Sequence, residues 1–261
     1  MIDTHCHLEQ QVYDEDRKNL ISLCRGQMSA VITDAPDPRH FGVTFDMVRE
    51  HSGFIFAVAG IHPQYVGKFT DQAINEAFVE LRENRHYLVG VGETGLDYSY
   101  ILDETEREKQ RQLFIKFIEL GRDLSLPIVV HLRKGPDDKD VFDDAFEILR
   151  KHNARKVHLH MFGSRRHVEE AIGLGYYISM NAIVIHSKTY QKVVRDTPFD
   201  RLMLETDAPW LYPTLEKEKR NDPTHVREVA EKIAEIKSIN VEQVIDQTTR
   251  NAVEFYGLRL I

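Results

Sequence analysis

The sequence is first informative through what it holds little of. Cysteine occurs twice, as Cys6 and Cys24, too few for a disulfide framework in a chain this long, so a reducing cytoplasm is the expected location. No run approaches the ~18 uninterrupted apolar residues of a membrane span. The opening Met-Ile-Asp-Thr-His-Cys-His has neither the basic nor the apolar segment of a signal peptide, and no membrane partner is expected. Positive charge is in deficit: 34 lysines and arginines against 42 acidic residues leave a formal net charge of -8. That excludes a protein gripping nucleic acid by bulk electrostatics. It leaves room for an enzyme that works on nucleic acid through bound metal ions and a few local cations. Low-complexity tracts, repeats and linkers are missing too, so 1–261 is expected to form a single domain.

What is present begins with 13 histidines, several at the ends of apolar runs. Eight short runs rich in β-branched and apolar residues cover 2–7, 30–34, 54–62, 87–94, 127–133, 156–161, 176–185 and 202–207. Amphipathic, charge-rich stretches at 71–83, 104–123 and 137–151 lie between them and read as helices. The runs recur roughly every 30 residues, the length of a βα unit rather than a hairpin. The expected fold class is therefore α/β: a (β/α)8 TIM barrel, with 223–237 and 241–256 as two C-terminal closing helices. A doubly wound open sheet uses the same alternation. However, neither G-x-G-x-x-G nor G-x-x-x-x-G-K-[ST] follows any run, so nucleotide cradling has no support.

Barrel chemistry sits at the C-terminal ends of the strands, and metal-binding side chains collect there. Alternation puts His5 and His7 of the first run on one face and Cys6, a small buried hydrophobe, on the other. The fourth run ends Gly92-Glu93-Thr94-Gly95-Leu96-Asp97. A carboxylate there is expensive to bury unpaired, and a metal offsets that cost; Asp97 reads as loop-shaping. His131 and Arg133 share a face, as an imidazole for a metal and a guanidinium for an anion. In the sixth run His160 is the better ligand and His158 sits a layer lower; in the eighth, Asp207 is at the mouth and Glu205 anchors its neighbours below. His5, His7, Glu93, His131, His160 and Asp207, with one shared carboxylate, suit two divalent ions about 3.5–4 Å apart. The reaction class is metal-assisted hydrolysis of a phosphoester, or of an amide or lactone.

These residues make the chain resemble the TatD-type deoxyribonucleases, a metal-dependent branch of the amidohydrolase-like barrels. The likeness runs end to end. It covers Ile2-Asp3-Thr4-His5-Cys6-His7, Gly60-Ile61-His62-Pro63, Gly92-Glu93-Thr94-Gly95-Leu96-Asp97-Tyr98, Pro127 to Arg133, Glu205-Thr206-Asp207-Ala208-Pro209 and Asn221-Asp222-Pro223. The resemblance implies a cytoplasmic barrel that hydrolyses phosphodiester bonds in DNA, exonucleolytically. It implies that His5, His7, Glu93 and Asp207 hold one metal and that Glu93, His131 and His160 hold the other, Glu93 bridging. His62 would lie near the scissile phosphate, Arg133 would bind substrate, and Glu205 would be a supporting acid. Zinc, magnesium or manganese would serve as the metal, and the partner is DNA, single-stranded or at an end, with no stable protein partner. Departures occur at His160-Met161-Phe162-Gly163-Ser164, where the glycine comes one place early, and at Ser179-Met180-Asn181-Ala182; both concern the wall of the site.

Other residues stay outside the site. His40, His51, His86, His152, His167, His186 and His225 read as structural or solvated, and Arg165-Arg166-His167 as a solvated helix start. Lys217-Glu218-Lys219-Arg220 reads as a soluble loop. Trp210, the only tryptophan, either stacks on a base or packs in its loop. The alternative function keeps the barrel and metals but hydrolyses a small amide, lactone or ester, or an aminoacyl ester on RNA. A non-enzymatic scaffold is disfavoured by the intact ligand set.

Overall fold

A computed structural model of the protein describes residues 1–136, 140–214, 216 and 218–260. Eight parallel strands form one sheet in chain order: β1 (Ile2–Cys6), β2 (Ala30–Ala35), β3 (Ile55–Ala59), β4 (Leu88–Asp97), β5 (Ile128–Arg133), β6 (Val157–Leu159), β7 (Tyr177–Met180) and β8 (Leu202–Leu204). Helices α1 (Arg17–Gln27), α2 (Phe41–Glu50), α3 (Asp71–Glu83), α4 (Glu104–Leu124), α5 (Val141–Lys151), α6 (Val168–Gly173), α7 (Ile183–His186) and α8 (Lys188–Asp196) connect them. Helices α9 (Val226–Lys237) and α10 (Val241–Tyr256) follow β8. Between β8 and β1 the backbone bonds Asp207 N–H to His5 O (2.9 Å) and His7 N–H to Ala208 O (2.7 Å) close the ring. Thr4 Oγ1 donates to Leu204 O and Thr206 N–H to Asp3 across the same seam. The result is the expected barrel. No helix among the described residues is long and apolar enough to cross a membrane.

Local chemistry accounts for the element boundaries. The side chains of Thr70, Asp103 and Asp140 accept from the first turns of α3, α4 and α5. Asn240 and Gln243 form a capping box on α10, which ends on Gly257 in the left-handed conformation. The helix expected from 137 begins at Val141, and 137–139 lie outside the described residues, as does Lys217 of the charged loop. Several expected strands stop short, among them 156–161 at Leu159 and 202–207 at Leu204, and side-chain bonds account for two others. Asn181 Oδ1 takes the Ile183 N–H, so the run 176–185 ends as a strand at Met180 and continues as α7. His62 Nδ1 likewise takes the Gln64 N–H and opens a 3-10 turn, Pro63–Tyr65, after β3.

Strand alternation sorts the apolar residues into two bodies. One face packs under the helices: Cys6, Val31, Ala57, Val91, Val130, Leu159, Ile178 and Leu204 belong to the large outer core. The other face fills the barrel, where Ile2, Ile32, Val58, Val129, Tyr177 and Met203 meet Ala252, Phe255, Tyr256 and Leu258. The end of α10 thus plugs the N-terminal mouth, and the polar residues are left to the C-terminal one.

Register irregularities interrupt this alternation three times; one falls between Ala57 and Val58, where β3 advances one residue while β4 advances two, from Leu88 to Gly90. Between Asp3 and Cys6, β1 advances three residues while β2 advances two, from Val31 to Thr33. Between Val91 and Thr94, β4 again advances three while β5 advances two. Each extra residue is a bulge that resets the inward face. Val91 packs outward, so without the bulge Glu93 would point outward with it; with the bulge it turns into the barrel. Only glycine fits beside it. Gly92 has φ +134°, and a Cβ there would lie 2.4 Å from Val129 O; a Cβ on Gly60 would lie 2.5 Å from Gly92 O.

The plug generates a stability prediction. Phe255 is almost fully buried and its ring lies 4.8 Å from that of Tyr177. Phe255→Ala should cost about 3–5 kcal/mol, seen as a lower urea midpoint at unchanged slope. A loss below about 1 kcal/mol, a size typical of mild substitutions, would show that α10 does not carry the base of the barrel.

Candidate metal centre

The mouth is built around one carboxylate. Glu93, 3% exposed, sits inside β4 rather than at its end, because β4 runs on to Asp97. Its two oxygens face different groups. Oε2 lies 3.6 Å from His5 Nε2 and 4.0 Å from His7 Nε2, and both imidazoles also face Asp207 Oδ1, at 3.8 and 3.4 Å. Oε1 lies 2.7 Å from His131 Nδ1, 2.9 Å from His160 Nε2 and 3.4 Å from His62 Nε2. The strands bring together His5 and His7 from β1, Glu93 from β4 and His131 from β5, while His160 and Asp207 stand just beyond β6 and β8.

The far nitrogen of each imidazole shows which nitrogen is left to bind. His7 Nδ1–H donates to Asp34 O at 2.9 Å. His131 Nε2 faces Asp97 Oδ2 at 3.3 Å, His160 Nδ1 faces Glu205 Oε1 at 3.4 Å, and His5 Nδ1 faces Asp34 Oδ2 at 3.5 Å. A carboxylate or carbonyl behind a ring fixes its tautomer and turns the other lone pair inward, the arrangement that orients metal-binding histidines. His62 is reversed. Its Nδ1 accepts from Gln64 N–H at 3.1 Å, so the hydrogen is on Nε2, the atom aimed at Glu93. It is a donor into the site, although it clusters with Glu93 and His131 as closely as the other groups do.

Electrostatics supports a cation here. Burial raises the Glu93 carboxyl, but the imidazoles of His62 and His160 and the hydrogen bonds of His131 and His160 outweigh burial and hold it well below the usual carboxylate range. Burial works against protonating His7, His131 and His160 too. Asp207 and Glu9 overcome it at His7, Asp97 and Glu93 at His131, and Glu93 and Glu205 at His160, so all three are raised. His5 goes the other way, pushed well below its ordinary value by burial and the adjacent His160. Its Nε2 is a buried polar atom with no hydrogen-bond partner. Such an atom is expensive to leave unmatched, and a divalent ion matches it. The donor set of imidazole and carboxylate fits zinc, manganese or magnesium.

Behind the centre runs a one-way hydrogen-bond chain. Tyr256 O–H donates to His158 Nδ1 (2.6 Å), and His158 Nε2–H donates to Ser179 Oγ (2.5 Å). Ser179 O–H in turn donates to Glu205 Oε2. Asn181 Nδ2 adds a bond to Glu205 Oε1 at 3.1 Å. Glu205 anchors its neighbours, and the chain ties the end of α10 to His160.

Arg133 stands apart: it is exposed at the end of β5, its carbonyl takes the Tyr98 N–H, and its guanidinium has no hydrogen bond or ion pair to another described residue. Arg165 is paired with Asp196, and Arg166 with Asp140 and Asp143. Two residues escaped the sequence reading, and a third was read only in part. Asp34 accepts the Glu93 N–H at 2.9 Å and backs His5, and Glu9 lies 3.5 Å from His7 Nδ1. Asp97 shapes its loop through Ser99 and Tyr100, as expected, but also backs His131. For Asp34 the signal was present: it is a carboxylate within a largely apolar strand, like Glu93.

Comparison with known proteins agrees with this geometry. A sequence model of the family described as "TatD related DNase" matches residues 2–257. The human protein named deoxyribonuclease TATDN3 is 32% identical over 98% of this chain and 94% of its own length. The Bacillus subtilis protein YabD, described as an uncharacterized metal-dependent hydrolase, is 30% identical over 99% of both chains. The crystal structure of YJJV, a TatD homologue from Escherichia coli, has the same fold, with a TM-score of 0.87 at 23% identity over 99% of this chain and 98% of that one. The chain belongs to the TatD-related DNase family of hydrolases.

Proposed function

We propose that the protein hydrolyses phosphodiester bonds in DNA at a centre of two divalent ions, removing nucleotides from a strand end. The observation that carries this reading is the orientation of Glu93, whose two oxygens face two separate sets of donors. His5, His7, Asp207 and Glu93 Oε2 would hold one ion; His131, His160 and Glu93 Oε1 the other. When bound, such a pair supplies Lewis acidity and lowers the pKa of a coordinated water.

The chain's own groups do the rest. Asp207, the least buried of the acids at the centre, is placed to accept the proton of an attacking water. His62 offers its Nε2–H to a phosphate oxygen, and Arg133 offers an exposed guanidinium able to bind phosphate through two bonds. Asp34, Asp97 and Glu205 hold the imidazoles in register. Both cysteines are buried and free, which supports a reducing, cytoplasmic setting.

Two experiments test this. Metal-stripped protein should leave 3′-labelled and 5′-labelled single-stranded DNA intact, and magnesium, manganese or zinc should restore cleavage, the label giving polarity. Glu93→Ala should lose both ions by elemental analysis and lose turnover; Arg133→Ala should keep the ions and mainly raise KM. Full activity in Glu93→Ala would sink the bridging role, and ester or amide turnover without nucleotide release would point to a small-molecule substrate. Separately, Ser179→Ala leaves Glu205 and His158 short of a partner. It should destabilise the metal-free protein by about 1–3 kcal/mol and weaken metal binding about 10–100-fold, as loss of support behind a ligand does. Unchanged metal affinity would show that the chain behind His160 is structural only.

A further inference from the structure

We propose that Trp210 is a stacking platform for an unpaired nucleobase, so that DNA enters the centre as a single-stranded end; this rests on the nuclease reading above. Trp210 is the only tryptophan of the chain, and it is 48% exposed, whereas tryptophan is mostly buried in folded proteins. Its exposure is not that of a loose loop. Trp210 N–H donates to Asp207 O at 3.0 Å. The side chain of Asn221, 1% exposed, donates to Trp210 O at 2.7 Å and to Leu211 O at 3.2 Å. Tyr13 O–H fastens Asn221 from the other side through its carbonyl oxygen, at 2.6 Å. The backbone is pinned at both ends of the loop, and the indole is left at the rim.

Its position gives the exposed ring a ligand. The indole meets the His7 imidazole edge to face, with centroids 4.8 Å apart, and His7 Nε2 is 3.4 Å from Asp207 Oδ1. Anything lying on the indole is therefore adjacent to a group held at the centre. A nucleotide has this shape, a flat ring one sugar away from a phosphate. Cations for the rest of the strand stand around the same mouth. The Lys68 ammonium lies 5.0 Å from the Tyr65 ring and 5.7 Å from the Tyr100 ring, and Tyr65 packs on His62 at 6.2 Å; Arg133 is exposed at the end of β5. Aromatic faces interleaved with cations bind single strands with little regard to sequence. In a duplex each base is paired and already stacked on its neighbours, so only an unpaired base reaches the indole.

The single tryptophan makes the test direct. Metal-loaded protein is titrated with a phosphorothioate-linked oligothymidylate and with an abasic oligomer of the same length, following intrinsic fluorescence. Quenching by the first and not the second is expected. By anisotropy of labelled oligomers, Trp210→Ala should bind oligothymidylate at least about tenfold more weakly and Trp210→Phe within about threefold of the parent, with abasic affinity unchanged in both. Equal quenching by the two oligomers, or undiminished oligothymidylate binding by Trp210→Ala, would overturn the platform. Cleavage of DNA without base-dependent quenching would overturn it and leave the nuclease reading standing. Neither binding nor cleavage would remove the nuclease reading and the platform with it.

Discussion

Everything at the C-terminal mouth is arranged around the buried negative charge of Glu93. Five imidazoles stand within 4.0 Å of its two oxygens, and a further set of acids stands behind them. A carboxylate in this setting is tolerable only while it is paired, because burial alone would drive it to its neutral form. The imidazoles provide that pairing, and the acids behind them, Asp34, Asp97 and Glu205, decide which nitrogen of each ring turns inward. The outcome is an electronegative cluster of lone pairs in which buried polar atoms, His5 Nε2 and His160 Nδ1 among them, have no hydrogen-bond partner. Such a cluster attracts a cation; it has no use for a basic surface, which agrees with a net charge of -8.

The barrel supports the cluster by separating its interior into two zones. Toward the N-terminal mouth, apolar side chains from the strands close on Phe255, Tyr256 and Leu258. Toward the other mouth the same inward positions carry the acids and histidines. His158 and Ser179 lie at the boundary, and the chain from Tyr256 to Glu205 crosses it. A packed apolar base below and the hydrogen-bonded chain from Tyr256 to Glu205 above it hold the ring orientations within the tight tolerance that metal chemistry demands.

Much of the site was legible because it follows simple alternation. His131 and Arg133 on β5, with His158 on β6 and His160 just beyond it, follow the period of two read from the sequence, whereas His62 came only through the family resemblance. Glu93 was found for a sound reason, a carboxylate in an apolar run, yet its inward direction depends on a bulge that no period of two contains. The strand ends at Ala59 and Met180 were missed for a different reason. Competing side-chain bonds from His62 and Asn181 terminate runs whose apolar content would otherwise continue as strand. Asp34 and Glu9 were passed over because one histidine-rich strand drew the reading away from its neighbour.

The amino-acid sequence by itself determined the rhythm of eight strands and the chemical type of the centre, since spacing and residue identity are local properties. It also carried the family, through motifs spread from Ile2 to Pro223. The tertiary structure alone decided the division of Glu93's oxygens between two donor sets, the reversed hydrogen on His62, and the half-exposed setting of Trp210. Each depends on contacts between residues far apart in the chain, such as His7 with Asp34 and Trp210 with Asn221. Those contacts exist only once strands and loops far apart in the chain are packed side by side.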